Sequence, residues 1–123
     1  MSFKPKNFNV WCEIPATDLE RSRKFYATVF DLELKVEEAG PNPVVFFPTE
    51  DEQGVAGHIY PGKPAADGQG PTVHFSVPDT VEKSMERVKS AGGTVLSGII
   101  EIPSGRFAYC QDPDGNSIGL FSL

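Results

Sequence analysis

Residues 11–30 and 72–91 repeat one order of hydrophobic and polar positions. Each copy opens with alternating apolar and polar residues, the period of a β-strand with two distinct faces. The apolar positions are Val10, Cys12 and Ile14 in the first copy and Val73, Phe75 and Val77 in the second. We expect these side chains to pack beneath a helix, and their neighbours to point the other way.

An apolar stripe at helical spacing follows each strand. A capping box of Thr17 with Glu20 predicts the first helix from about residue 18, and one of Asp79 with Glu82 predicts the second from about residue 80. The stripes consist of Leu19, Tyr26, Val29 and Phe30, and of Val81, Met85, Val88 and Ala91. Each helix therefore has one face to bury.

Three short apolar segments follow each helix, separated by Gly, Pro, Asn and Asp clusters typical of turns. They read LELKV, VVFF and GVAGHIY after the first helix, and TVLSG, RFAYCQ and SIGLF after the second. The order strand, helix, strand, strand, strand thus occurs twice, which predicts an α+β fold of two tandem βαβββ modules. We expect one domain over 1–123, with modules at about 7–60 and 71–123 and a Pro- and Gly-rich linker at 61–70.

The parity of the strands also selects candidate functional residues. If the helices cover the apolar positions, Trp11 and Glu13 point away from the first helix. By the same alternation Thr72, His74 and Ser76 point away from the second helix. In the last strand Ile118 and Leu120 face the helix, which leaves Gly119 and Phe121 on the other side.

The string DLERSRKFYATVFDLEL, the aromatic and glycine-containing strand before the linker, the AGG after the second helix and DPDGNSIGLFSL together resemble the vicinal oxygen chelate superfamily. This superfamily includes glyoxalase I, extradiol dioxygenases and bleomycin-resistance proteins. The resemblance covers nearly the whole chain. It implies two modules with curved mixed sheets that form a cup, the glyoxalase-like fold.

Metal-dependent members of the family carry ligands on the inward faces of four strands, and two of these positions are altered here. The first-strand ligand falls on Trp11, whose indole nitrogen only donates, and the last-strand glutamate falls on Gly119. His58 and His74 are the only histidines, and with Glu13 they would resemble a two-histidine, one-carboxylate site. We therefore expect no cofactor, and a divalent Zn, Ni, Mn or Fe ion as the alternative.

The resemblance predicts a glyoxalase or bleomycin-resistance-like protein that binds a small, partly apolar organic molecule in its cup. The candidate ligand-binding residues are Trp11, Glu13, His58, His74, Tyr109, Gly119 and Phe121. The sequence leaves open whether the protein is an enzyme. A glyoxalase-type lyase, an isomerase or a dioxygenase is the alternative, with Glu13 and His74 as candidate base and orienting group without a metal. Alternatively, His74 has only a structural role and forms a hydrogen bond to a neighbour such as Glu13.

Composition and charge narrow the remaining classes of function. The 123 residues carry a net charge of −6 without a run of Lys or Arg, which argues against nucleic-acid binding. No apolar run is long enough to span a bilayer, and residues 1–8 lack the apolar core of a signal peptide, so we expect a cytoplasmic protein with Cys12 and Cys110 as reduced thiols. The resemblance further implies a homodimer.

Overall fold

The computed structural model describes residues 2–38, 40–51, 53–67 and 69–123. These residues form two helices and nine strands. The N-terminal module contains β1 (Trp11–Ala16), α1 (Leu19–Val29), β2 (Val36–Glu38), β3 (Pro43–Phe46) and β4 (Ala56–Pro61). The C-terminal module contains β5 (Val73–Ser76), α2 (Val81–Ser90), β6 (Thr94–Val95), β7 (Ile100–Ile102), β8 (Gly105–Gln111) and β9 (Ser117–Ser122).

The helices begin one residue later than the capping boxes predicted. Asp18 is the N-cap of α1 and its carboxylate accepts from the Arg21 amide at 3.1 Å. Thr80 is the N-cap of α2 and its hydroxyl accepts from the Lys83 amide at 3.1 Å. The predicted caps Thr17 and Asp79 were therefore both wrong, each lying one residue before the observed cap. Both neighbouring residue types can cap a helix, so the side chain's geometry decides between them.

Each module builds one mixed sheet, the first of four strands in the order β1-β4-β3-β2 and the second of five strands in the order β5-β9-β8-β6, with β7 also paired to β8. We call these sheet A and sheet B. The first strand of each module pairs in parallel with the last, and the other pairs are antiparallel. The α+β fold of two tandem modules is confirmed.

Strand β7 was missing from the prediction. It pairs in antiparallel fashion with the start of β8, with Ile100 opposite Phe107 and Ile102 opposite Gly105. All three of its residues are exposed, so no alternation of buried and exposed positions marks it in the sequence. A strand this short is not stable alone, and it forms here because β8 offers a free hydrogen-bonding edge at that point.

Both helices and one face of each sheet contribute to a single hydrophobic core. Ile14, Ile59, Ile118 and Leu120 lie on the inner faces of the strands and are at most 3% exposed. Val10 was expected among these residues, but it lies before β1 and is 67% exposed. The alternation that continues to Ile14 therefore begins only at Trp11.

Helix α1 packs against both sheets at once. Its Phe25 ring lies against Gly93 beside β6, and its Tyr26 ring lies 5.7 Å from the Phe75 ring of β5. The two helices also contact each other. Each sheet therefore turns its inner face toward a shared core that contains the helices, and we call the opposite face of each sheet its outer face.

A buried polar junction fixes the two modules relative to each other. The Tyr26 hydroxyl donates to Asp112 Oδ2 at 2.7 Å, and the Asn116 side-chain amide donates to the Pro15 carbonyl oxygen at 2.9 Å. Burial raises the pKa of Asp112, against the opposing effect of the hydrogen bonds from Asn116 and Tyr26. The pKa of Tyr26 is raised well above its usual value, by burial first and then by the Asp112 charge.

Within the described residues, no helix is both long and apolar enough to cross a membrane. Cys110 is buried, Cys12 is half-buried, and both are free thiols. Burial raises the pKa of Cys110 to about 11 and that of Cys12 above its usual value.

Candidate functional site

Strand register places the predicted site residues on the two outer faces. Glu13 of β1 is aligned with His58 of β4, and Trp11 lies two residues before Glu13 on the same side of β1. On sheet B, Gly119 of β9 lies between His74 of β5 and Tyr109 of β8. The remaining predicted residue, Phe121, follows Gly119 on the same face.

A hydrogen-bonded cluster occupies the outer face of sheet A. The Trp11 indole Nε1 donates to His58 Nδ1 at 3.0 Å, and His58 Nε2 lies 3.4 Å from Glu13 Oε1. Because an indole nitrogen is only a donor, Nδ1 is the acceptor, and the hydrogen of the neutral His58 ring lies on Nε2, which faces Glu13. The carboxylate of Glu13 remains accessible, with 63% of its side chain exposed, whereas only 16% of the His58 side chain is exposed.

Two further aromatic side chains complete this cluster, and the sequence analysis did not select them. The Phe46 ring lies 6.3 Å from Trp11 and 5.8 Å from His58, and the Tyr60 ring lies 6.1 Å from His58. Their parity could have identified them, since Phe46 is aligned with His58 and Tyr60 lies two residues beyond it. The predictions applied parity to β1, β5 and β9 and left the parity of β3 and β4 unused.

The outer face of sheet B is a second aromatic cluster, centred on His74. The His74 ring packs edge-on against Phe107 at 5.1 Å and against Tyr109 at 5.9 Å. A Cβ added at Gly119 would overlap His74 Nδ1, so the imidazole occupies the space that a side chain at position 119 would need. Phe107 is 8% exposed and Tyr109 is 37% exposed. The open part of this face is therefore the side near Tyr109.

The clusters on the two sheets share no hydrogen bond or ion pair within the described part of the chain. Glu13 has His58 as its neighbour, and not His74 as one alternative proposed. His74 has aromatic neighbours and Gly119 instead. Each cluster belongs to its own sheet, because β1 pairs with β4 and β5 pairs with β9, and strand parity alone could not reveal these pairings.

A cleft of about 780 Å³ runs between the modules along β5 and the start of β1. Four aromatic side chains of the core line it, together with Trp11 and His74. The four are Tyr26, Phe30, Phe47 and Phe75. The cleft offers mostly apolar surface and connects the neighbourhoods of the two clusters.

The donor groups of the outer faces do not fit the divalent metal of the wider fold family. Nδ1 of His58 is occupied by the Trp11 indole, Trp11 itself offers no lone pair, and Gly119 offers no side chain. Across residues 2–38, 40–51, 53–67 and 69–123, no group of three or more His, Cys, Asp or Glu side chains is arranged to hold a metal ion. We therefore derive no chemistry through a metal.

A family model for the Glyoxalase/Bleomycin resistance protein/Dioxygenase superfamily matches residues 10–120. Since this match covers most of the chain, the protein belongs to that superfamily. Among curated proteins the sequence has no significant match.

Solved structures show the same fold at low sequence identity. A glyoxalase/bleomycin resistance protein from Albidiferax ferrireducens T118 is similar with a TM-score of 0.69 and 23% identity, over 94% of this chain and 98% of that one. Hypothetical protein SA1046 from S. aureus has a TM-score of 0.69 and 17% identity, over 96% and 98%. The fosfomycin resistance protein FosX from Mesorhizobium loti has a TM-score of 0.66 and 21% identity, over 98% and 94%.

Proposed function

We propose that the protein binds a small, partly apolar organic molecule on its outer aromatic faces and does so without a metal. The observation that carries this proposal is the accessible cluster of Trp11, His58 and Glu13 on sheet A. Trp11 is 47% exposed, and a large aromatic side chain that remains exposed beside a carboxylate is typical of a binding surface. A ligand on this face would be enclosed only if a second protein surface covered it from the opposite side.

We further propose that a second copy of the chain supplies that surface. The clusters on sheet A and sheet B share no hydrogen bond or ion pair among the described residues, and we infer that each is a half-site. The end strands β1 and β5 each lack a partner on one side among the described strands. On sheet B, Tyr109, Ile100 and Ile102 are 36–42% exposed, which gives an apolar face for sheet A of another copy. A two-fold dimer would bring each sheet A face opposite a sheet B face.

In this arrangement the cup has a polar centre and aromatic walls. Glu13 and His58 would lie on one wall, and His74 and Ser76 on the other, so the pairing of Glu13 with His74 proposed for catalysis would form only between two chains. The two free thiols are in keeping with a reducing compartment, and we propose the cytoplasm.

Thermal unfolding of chelator-treated protein tests the binding function. We expect stabilisation by members of a library of small aromatic and alicyclic compounds, because a ligand at a hundredfold excess over Kd adds about 2.7 kcal/mol to the free energy of unfolding. Trp11→Ala should abolish the shift, whereas Val10→Ala, which removes an exposed apolar side chain outside the cluster, should retain it.

Metal ions provide the contrasting arm of the same experiment. Stabilisation by Ni²⁺, Zn²⁺, Mn²⁺ or Fe²⁺ that disappears in His58→Ala would overturn the metal-free site and favour a metal-dependent lyase, isomerase or dioxygenase. Stabilisation by organic compounds that is indifferent to Trp11→Ala would move the binding site away from sheet A.

Light scattering after size exclusion tests the dimer. We expect twice the chain mass for the wild type and a monomer for Tyr109→Arg, because the new charge would be buried against the partner. Thr28→Arg adds the same charge on an exposed position of α1 and should remain dimeric. A monomeric wild type, or a dimer unchanged by Tyr109→Arg, would contradict the proposed interface.

A further inference from the structure

We propose that the outer face of sheet A recognises an organic cation, a protonated amine or quaternary ammonium group carried on an apolar body. The inference deepens the proposed function and depends on it, because it assumes that this face is the binding surface. It names the charge of the ligand, which the fold leaves open.

The aromatic rings of sheet A lie close together on its outer face. Trp11 and Phe46 are inclined at 63° with centroids 6.3 Å apart, and the Phe46 and Tyr60 rings stand nearly perpendicular to His58, at 79° and 81°. These rings form one continuous row beside Glu13. A cation within about 6 Å of a ring centroid is attracted by the negative face of the ring, most strongly by that of Trp.

The fixed charge beside these rings is negative. Glu13 is an accessible carboxylate next to His58, and Glu37 of β2 lies on the same face, since it is aligned with Val44, two residues before Phe46 on β3. The four strands of sheet A contain no Lys or Arg, and no lysine or arginine in the described ranges forms an ion pair with Glu13. The carboxylate would repel an anionic ligand, and a cation would gain a charge interaction with it that a neutral ligand lacks.

His58 lies between Trp11 and Glu13 on this face. Its Nδ1 accepts from the Trp11 indole, and its Nε2 lies 3.4 Å from Glu13 Oε1. Glu13 is thus close to the Trp11–His58 pair, with 63% of its side chain exposed. A cation that contacts the indole face would lie within reach of this carboxylate, so the two attractions act on the same group.

Three probes of nearly equal shape separate charge from size. Choline is a cation, 3,3-dimethylbutan-1-ol is its neutral analogue, and 3,3-dimethylbutyrate is an anionic analogue. Trp11 is the only tryptophan of the chain, so its indole N–H resonance and its fluorescence both report binding at this face. We expect choline to bind with an apparent Kd at least about tenfold below that of the neutral alcohol, and the anion to bind most weakly.

Glu13→Gln should reduce the preference for choline by at least about threefold and leave binding of the neutral alcohol unchanged. The control Glu86→Gln makes the same change of net charge on an exposed position of α2 and should retain the preference.

Equal binding of choline and the alcohol at Trp11 would overturn the cation preference and leave the binding face in place. Tightest binding of the anion would overturn the preference as well. If no probe perturbs Trp11 while apolar compounds still stabilise the protein, both the preference and the assignment of this face are wrong.

Discussion

Trp11 donates its indole hydrogen to Nδ1 of His58 across 3.0 Å, and this bond connects β1 to β4 on the outer face of sheet A. The resemblance to metal-dependent members of the family predicts a first-strand ligand at position 11. Here the residue at that position occupies a histidine nitrogen that could otherwise coordinate a metal. Trp11 therefore provides no metal ligand itself, and it also occupies the Nδ1 atom of His58 that could act as one.

The tautomer of His58 follows from this bond. In ¹⁵N NMR spectra recorded where histidine rings are neutral, we expect His58 to carry its hydrogen on Nε2, because Nδ1 accepts from Trp11. Trp11→Phe removes the donor and should produce a mixture of both tautomers, while the signals of His74, which packs against Phe107 and Tyr109, stay unchanged. A wild-type His58 protonated on Nδ1 would contradict the assigned geometry.

Replacing Trp11 should restore metal binding. Trp11→His would place a second imidazole beside His58 and Glu13, which gives the two-histidine, one-carboxylate set that divalent ions favour. We expect Ni²⁺ or Zn²⁺ to raise the melting temperature of this variant and to leave the Trp11→Phe variant unchanged. A comparable rise in Trp11→Phe would show that position 11 supplies no ligand.

Gly119 and His74 form a mutually dependent pair. In Gly119→Ala the new methyl group would overlap the His74 ring, so we expect a loss of about 1–3 kcal/mol in the free energy of unfolding. The double variant Gly119→Ala with His74→Ala should recover most of that loss, because the ring is gone. Chemical denaturation of the two single variants and the double variant measures the coupling, and additive losses would contradict it.

The bond between Tyr26 and Asp112 should make stability depend on pH. Burial raises the pKa of Asp112, so folding favours its protonated form, and the contribution of this group to stability is greatest at low pH and declines as the pH rises through its folded value. The Tyr26 hydroxyl opposes that decline because its hydrogen bond supports the carboxylate. Tyr26→Phe should therefore cost about 1–3 kcal/mol at neutral pH and less where Asp112 is protonated.

Urea denaturation across this pH range measures the difference between Tyr26→Phe and the wild type. Tyr60→Phe removes a hydroxyl from the outer face of sheet A, away from Asp112, and its effect should not vary with pH in this way. A loss in Tyr26→Phe that stays constant from acidic to neutral pH would show that Asp112 does not titrate as described.

The sequence by itself determined the two modules, because alternation in the first strands and helical spacing behind them are local patterns. Ile14, Val77, Ile118 and Leu120 belong to the core or pack against it, on the faces that parity predicted. The same parity placed Trp11, Glu13 and His74 on the opposite faces. Strand β7 was missed because it is too short to show an alternating pattern. The N-caps Asp18 and Thr80 were missed because the neighbouring residue types cap a helix equally well.

The tertiary structure decided which of these residues meet. Parity gives the face of a strand, but the register between strands and the packing of whole sheets fix the neighbours across 45 residues or more of chain. Glu13 therefore meets His58 through the alignment of β1 with β4, whereas His74 lies on sheet B beside Gly119 and Phe107. The space above Gly119 likewise depends on the pairing of β5 with β9, which no local pattern specifies.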